Sequence, residues 1–158
     1  NRGGFNRTDR EWLRLIAHDL THVSQAELAG GDGRAEQWLA EGMAEWVAFS
    51  TLERLGLDTV AWRRRRALAG VLEHATLIRA GLDLETHGTP QGFASWRQRE
   101  GTLPTYQLAF LMADYLIERR GLVGVEAYFR SFSRSRDRHK NFPLAFGTTE
   151  HSGLARPA

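Results

Sequence analysis

Apolar residues recur at three- and four-residue spacing from Thr8 onward, at Trp12, Leu13, Leu15, Ile16, Leu20 and Val23, which is the period of an amphipathic α-helix. Thr8-Asp9-Arg10-Glu11 opens the stretch as a capping box, so a first helix is predicted over about Asp9–Leu28. Gly30-Gly31-Asp32-Gly33 breaks it. Asp32 is placed to cap a second helix, Arg34–Leu55, with Gly56 as a left-handed C-terminal cap. A third is predicted over Thr59–Arg79, capped by Asp58 and ending near Gly81. Gly88, Pro90, Gly92 and Gly101 mark residues 85–101 as mostly loop, with a short turn around Phe93–Arg99. Pro104 suits the first turn of a fourth helix, Thr105–Arg120, stopped by Gly121, and a fifth follows from Val123 to about Ser133. Beyond Ser135 the chain is polar and broken, although Phe142-Pro143-Leu144-Ala145-Phe146 can dock on the core. Nothing alternates over a strand's length, so the chain reads as mainly α, about five helices in a single domain spanning residues 1–158.

Composition narrows the chemistry. The 158 residues are 42% hydrophobic and 25% charged, enough for one core and unlike a disordered or collagenous chain. With no cysteine, disulfides and thiolate metal sites are excluded, and any metal must rest on six histidines and nineteen carboxylates. No apolar run reaches the roughly 18 residues of a membrane span, and residues 1–10 contain no signal-peptide core, so the chain as given reads as soluble, of unassigned compartment. Asn1 is not an initiator Met, which suggests a processed product or a segment of a larger protein. Arg63 to Arg66 raise nucleic-acid binding, but four consecutive arginines point around a whole helical turn and the net charge is only +2. They read as a solvated face or a rim for an acidic partner, with no nucleic acid expected. Trp12, Trp38, Trp46, Trp62 and Trp96 lie beside apolar neighbours and read as core. His74, His87, His139 and His151 lack ligand spacing.

One histidine pair does have it. His18 and His22 are four residues apart, on one face of the first helix and one turn from each other, within reach of one cation. Zinc suits neutral imidazole nitrogens and takes three protein ligands plus water in reactive sites. A third ligand is available on the second helix, where Glu41 sits between Leu39 and Met43. A carboxylate buried there is costly unless paired or coordinating.

His18-Asp19-Leu20-Thr21-His22, an interval of eighteen residues, and Trp38-Leu39-Ala40-Glu41-Gly42-Met43-Ala44 together resemble the gluzincin metallopeptidases of the peptidase MA-like group, whose hallmark is H-E-x-x-H, eighteen residues, then Glu within W-L-x-E-G-x-A. The resemblance implies a helical zincin-like fold in which His18, His22 and Glu41 bind Zn2+ and Glu45 steadies a ligand histidine. Pro104-Thr105-Tyr106-Gln107-Leu108-Ala109-Phe110, followed by Tyr115-Leu116, is similar to the family's P-Y-x-x-G-x-A…Y-L helix, with one insertion after the proline and Ala109 for a glycine. Tyr106 thereby inherits a hydrogen bond to the oxyanion of the reaction. The implied activity is hydrolysis of peptide or amide bonds in a peptide or protein substrate.

Two departures qualify it. Asp19 stands where the family has the Glu that acts as general base, one methylene shorter, and misplacement by an ångström can cost about 10²-fold. Only seventeen residues precede His18, so the family's N-terminal β-sheet is expected to be missing or severely reduced. The alternatives are a zinc-binding pseudopeptidase domain used for recognition or scaffolding, and a helical interaction module.

Overall fold

A computed structural model of the chain describes residues 7–31, 35–74 and 83–147. Seven helices are described: α1 Arg7–Leu28, α2 Gln37–Arg54, α3 Val60–Glu73, α4 Leu84–His87, α5 Pro90–Glu100, α6 Thr102–Ser131 and α7 Arg138–Phe146. Among the described residues there is no strand, and no helix is long and apolar enough to cross a membrane. The architecture is mainly helical, as the pattern requires.

The central element is α2, which is apolar nearly all round. It buries Trp38, Leu39, Met43, Ala44, Ala48, Phe49 and Leu52, and α1, α3, α5 and α6 all pack on it. Helix α6 approaches it to backbone contact at Gly42. A Cβ on Gly42 would stand 2.1 Å from the Ala109 carbonyl oxygen, so only glycine permits this approach of the two backbones. Gly56 has φ 70° and its N–H bonds to the Glu53 carbonyl, ending α2 in the expected left-handed cap.

Several boundaries differ from the sequence reading. Helix α1 already includes Arg7 and Thr8, so Thr8 to Glu11 lie inside it and form no capping box. Helix α2 begins at Gln37, later than expected, with Glu36 as an N-cap that makes no side-chain cap; Asp32, Gly33 and Arg34 lie outside the described residues. The cap of α3 is Thr59, whose hydroxyl accepts from the Trp62 N–H. Asp58 is taken up by the Thr59 N–H and the Arg63 guanidinium. Helix α3 ends at Glu73, and the remainder to Arg79 and Gly81 is outside the described residues. The expected fourth and fifth helices are both present, as the two halves of α6: Gly121, with non-helical φ 70° and ψ 166°, separates them where the sequence placed the break.

The stretch read as mostly loop holds α4 and α5. Asp83 accepts from the Thr86 N–H to start one, and Thr89 from the Gly92 N–H to start the other, with Pro90 in its first turn. Helix α7 is likewise capped by Asp137 and closed by Gly147. Its Phe142 and Phe146 are buried against Tyr128, and Phe142 also against Trp38, which is the docking expected of that segment.

The largest departure concerns α1. Its apolar stripe faces solvent, with Trp12 61%, Ile16 51%, Leu20 59% and Val23 59% exposed, while His18, Thr21 and Gln25 are buried. Residues 16 and 18 are about 200° apart around a helix, so the stripe that defines the helix and the one that docks it are opposite faces. Trp12 and Trp62 are therefore surface residues, contrary to the core reading. Trp38 and Trp96 are fully buried, and Trp46 donates from Nε1 to Asp114. The arginine run is also not simply a solvated face. Arg64 grips Asp114 of α6 with two hydrogen bonds, and Arg63 pairs with Asp58 while stacking over Phe49.

Helix α2 is anchored at its start by Glu36, which is wholly buried and pairs with Arg138 of α7 at 2.7 Å. Arg138→Met leaves that carboxylate buried without its cation, and denaturant unfolding is expected to show a loss of about 3–5 kcal/mol. Gly42→Ala forces a Cβ into the Ala109 carbonyl and is expected to cost about 1–3 kcal/mol by the same measurement. Stability equal to the parent in either variant contradicts the corresponding contact.

Candidate metal centre

Helices α1 and α2 run antiparallel, and their polar residues meet in register. Arg14 faces Glu45, His18 lies between Glu45 and Glu41, and His22 faces Glu41. The residues at 14, 18, 22 and 25 form one stripe at helical spacing, and Glu41 and Glu45 are one turn apart on the facing helix.

Three atoms converge at the centre of this seam. His18 Nε2 and His22 Nε2 are 3.1 Å apart, and Glu41 Oε2 is 3.3 Å from the first and 3.5 Å from the second. Ligands of a tetrahedral ion bound at about 2.0–2.1 Å stand about 3.3 Å from one another. The triangle therefore admits a point at bonding distance from all three atoms, and the two-nitrogen, one-carboxylate donor set suits zinc. The group His18, His22 and Glu41 could hold a metal ion.

The outward atom of each candidate ligand is held by a further side chain. His18 Nδ1 lies 3.0 Å from Glu45 Oε1, an ion-pair contact. Arg14 fixes Glu45 at 2.6 Å and also bonds to Glu11. His22 Nδ1 is 2.9 Å from Gln25 Oε1, and Gln25 Nε2 donates to the Ala40 carbonyl on α2. Since the amide oxygen of Gln25 only accepts, His22 carries its proton on Nδ1 and presents the Nε2 lone pair inward. Gln37 Nε2 donates to Glu41 Oε1 at 2.8 Å, leaving Oε2 to face the histidines.

Without a metal, the charges around this place favour protonated histidines beside an ionised Glu41. Burial opposes charge on His18, but Glu41 and Glu45 outweigh it and raise its pKa to about 9. The Glu41 contact, against burial, raises His22 as well. Burial would push Glu41 up, yet the two histidines hold it far below the usual carboxylate range.

A cavity of about 540 Å³ opens beside this cluster, with His18, Asp19, Glu45 and Tyr106 in its wall. Helix α6 brings Tyr106, whose ring centroid is 6.2 Å from that of His18 and 5.6 Å from that of Phe93. Burial, and then the Glu41 carboxylate, raise the Tyr106 phenol above its ordinary value against the opposing pull of Arg97, so it stays a proton donor at neutral pH. Asp19 is exposed at the cavity edge and outside the converging triangle. Thus His18, His22, Glu41 and Glu45 are brought into contact, Tyr106 stands beside them, and Asp19 borders the cavity.

Arg14, Gln25 and Gln37 were missed from the sequence. Gln25 is three residues beyond His22 and Gln37 four before Glu41, the spacings at which helical side chains meet. That signal becomes readable only once the ligands are fixed. The chain matches no family model, no curated protein and no solved structure in comparisons with known proteins.

A metal must displace the proton on His18, so affinity for zinc is expected to keep rising with pH up to about 9. An affinity that levels off near the ordinary histidine value of about 6.5, in competition with a chromophoric chelator, contradicts the raised pKa. Linkage gives the opposite trend without metal. The raised His18 pKa stabilises the metal-free fold fully below about pH 6.5, and that contribution is lost as pH rises through about 9. Thermal unfolding of metal-free protein is expected to show this decline. Gln25→Leu frees the His22 ring and is expected to weaken zinc binding about 10–100-fold.

Proposed function

We propose that the chain is a zinc-dependent hydrolase, a metallopeptidase of gluzincin type that cleaves peptide or amide bonds. The observation that carries this reading is the convergence of His18 Nε2, His22 Nε2 and Glu41 Oε2, each ligand held from behind, at the edge of a cavity. The motif's likeness to the gluzincin pattern supports it from the sequence side.

Zinc in such a site supplies a Lewis acid that polarises the scissile carbonyl and makes water acidic enough to act as a nucleophile near neutral pH. The chain's own groups do the rest. Glu45, held in place by Arg14, orients His18 through Nδ1. Asp19 accepts a proton from the attacking water and returns it to the leaving amine. The Tyr106 hydroxyl donates to the carbonyl oxygen as negative charge develops on it.

A second reading is favoured by one feature, the exposed position and short side chain of Asp19: a zinc-binding domain that recognises peptides without cleaving them.

Metal analysis of purified protein is expected to give one zinc per chain, lost in His22→Ala. Far less zinc in the parent, unchanged by that substitution, overturns the site. On a library of peptides, Asp19→Asn is expected to lower turnover about 10²–10⁴-fold. Tyr106→Phe is expected to lower it about 10²–10³-fold. Asp19→Glu, with its longer reach, is expected to raise the rate. If parent, Asp19→Asn and Asp19→Glu are equally inert with zinc bound, the second reading holds.

A further inference from the structure

The cavity beside the metal centre contains charged side chains that the ion pairs of the seam do not use. Arg14 is taken up by Glu11 and Glu45, and Arg63 by Asp58. Arg66, on the same face of α3 as Arg63, also lines the cavity, and it has no carboxylate partner among the described residues. Its guanidinium lies 5.9 Å from the centroid of the Trp62 ring. Leu15, Phe49, Ala67 and Phe110 supply an apolar lining to the same space. The wall thus combines the groups next to the metal centre on α1 and α6, apolar surface, and a cation on α3 without an acid.

These features select a ligand. Apolar side chains give a fit for an apolar side chain, and a planar guanidinium matches a carboxylate with two parallel hydrogen bonds. Glu11, Asp19 and Glu45 share the cavity, which disfavours a dianion such as phosphate and leaves the singly charged carboxylate as the better fit. A volume of about 540 Å³ is that of a site for a small molecule, so the carboxylate is the free terminus of a short chain and not part of a folded protein.

We propose that Arg66 is the residue by which the cavity recognises a free carboxylate, and that its ligands are short peptides or N-acylated amino acids combining an apolar side chain with that terminus. This names the substrate class of the site and rests on the hydrolase reading above. The preference for acid over amide is nonetheless a binding property, readable without turnover.

The test is calorimetric titration of the metal-free and the zinc-loaded protein with N-benzoyl-leucine and with its amide, at low salt. The acid is expected to bind roughly tenfold tighter than the amide to both forms. Arg66→Gln is expected to abolish that preference, and Arg66→Lys to restore part of it by returning the charge without the fork. Equal binding of acid and amide by the parent overturns the proposal, as does a preference that survives in Arg66→Gln, since the carboxylate is then held by another group. Failure of zinc to bind overturns the hydrolase reading instead. Zinc binding with equal cleavage of peptides ending in acid or amide overturns the role of Arg66 alone.

Discussion

The structure depends on two carboxylates in a helix that is otherwise built to be buried. Glu41 and Glu45 lie on α2 among Trp38, Leu39, Met43 and Ala44, and both are buried. An ionised carboxylate withdrawn from water without compensation costs several kcal/mol. Compensation has to come from a neighbour carrying cations or imidazoles at matching spacing, and α1 offers Arg14, His18 and His22 along one stripe. Meeting that demand turns the polar face of α1 inward and leaves its apolar face in solvent.

The same requirement organises the rest of the bundle around a fixed α2. Gly42, next in sequence to Glu41, lets α6 come into backbone contact and so carries Tyr106 to the edge of the cluster. Glu36, Arg138 and the N–H of Glu36 to the Tyr128 hydroxyl tie the start of α2 to α6 and α7. Trp46, Asp114 and Arg64 tie its middle to α6 and α3. Each tie is a buried or half-buried polar group with a partner, so the register of α2 against its neighbours is set by chemistry that tolerates little sliding. A set of three ligand atoms converging to within a few tenths of an ångström of tetrahedral spacing needs such a frame.

Protons shared among His18, His22 and Glu41 satisfy the buried charges of this seam, and the same three side chains could hold a metal ion in their place. The exposed apolar face of α1 is the other consequence, because a helix with apolar residues on one side and imidazoles and a guanidinium on the other can bury only one of them against α2.

Much of this was legible in the sequence. The spacing of His18, His22 and Glu41 picks out the three side chains that converge, Glu45 follows one turn later, and the helices announce themselves through period and glycine stops. The sequence period, however, defines the axis of an amphipathic helix and leaves open which face docks; the usual rule puts the apolar face inside, and in α1 the burial of Glu41 and Glu45 reverses it. Helices α4, α5 and α7 escaped a composition-based reading because Gly, Pro and Asp are breakers in isolation but caps when the hydrogen bonds of Asp83, Thr89 and Asp137 are in place. The pairing of Arg14 with Glu45, the bond from Gln25 to the Ala40 carbonyl and the place of Arg66 in the cavity wall were decided by tertiary structure alone. A side chain's role at a site depends on which atoms face it across a helix interface, and that is a property of the packing of two elements, absent from the sequence of either.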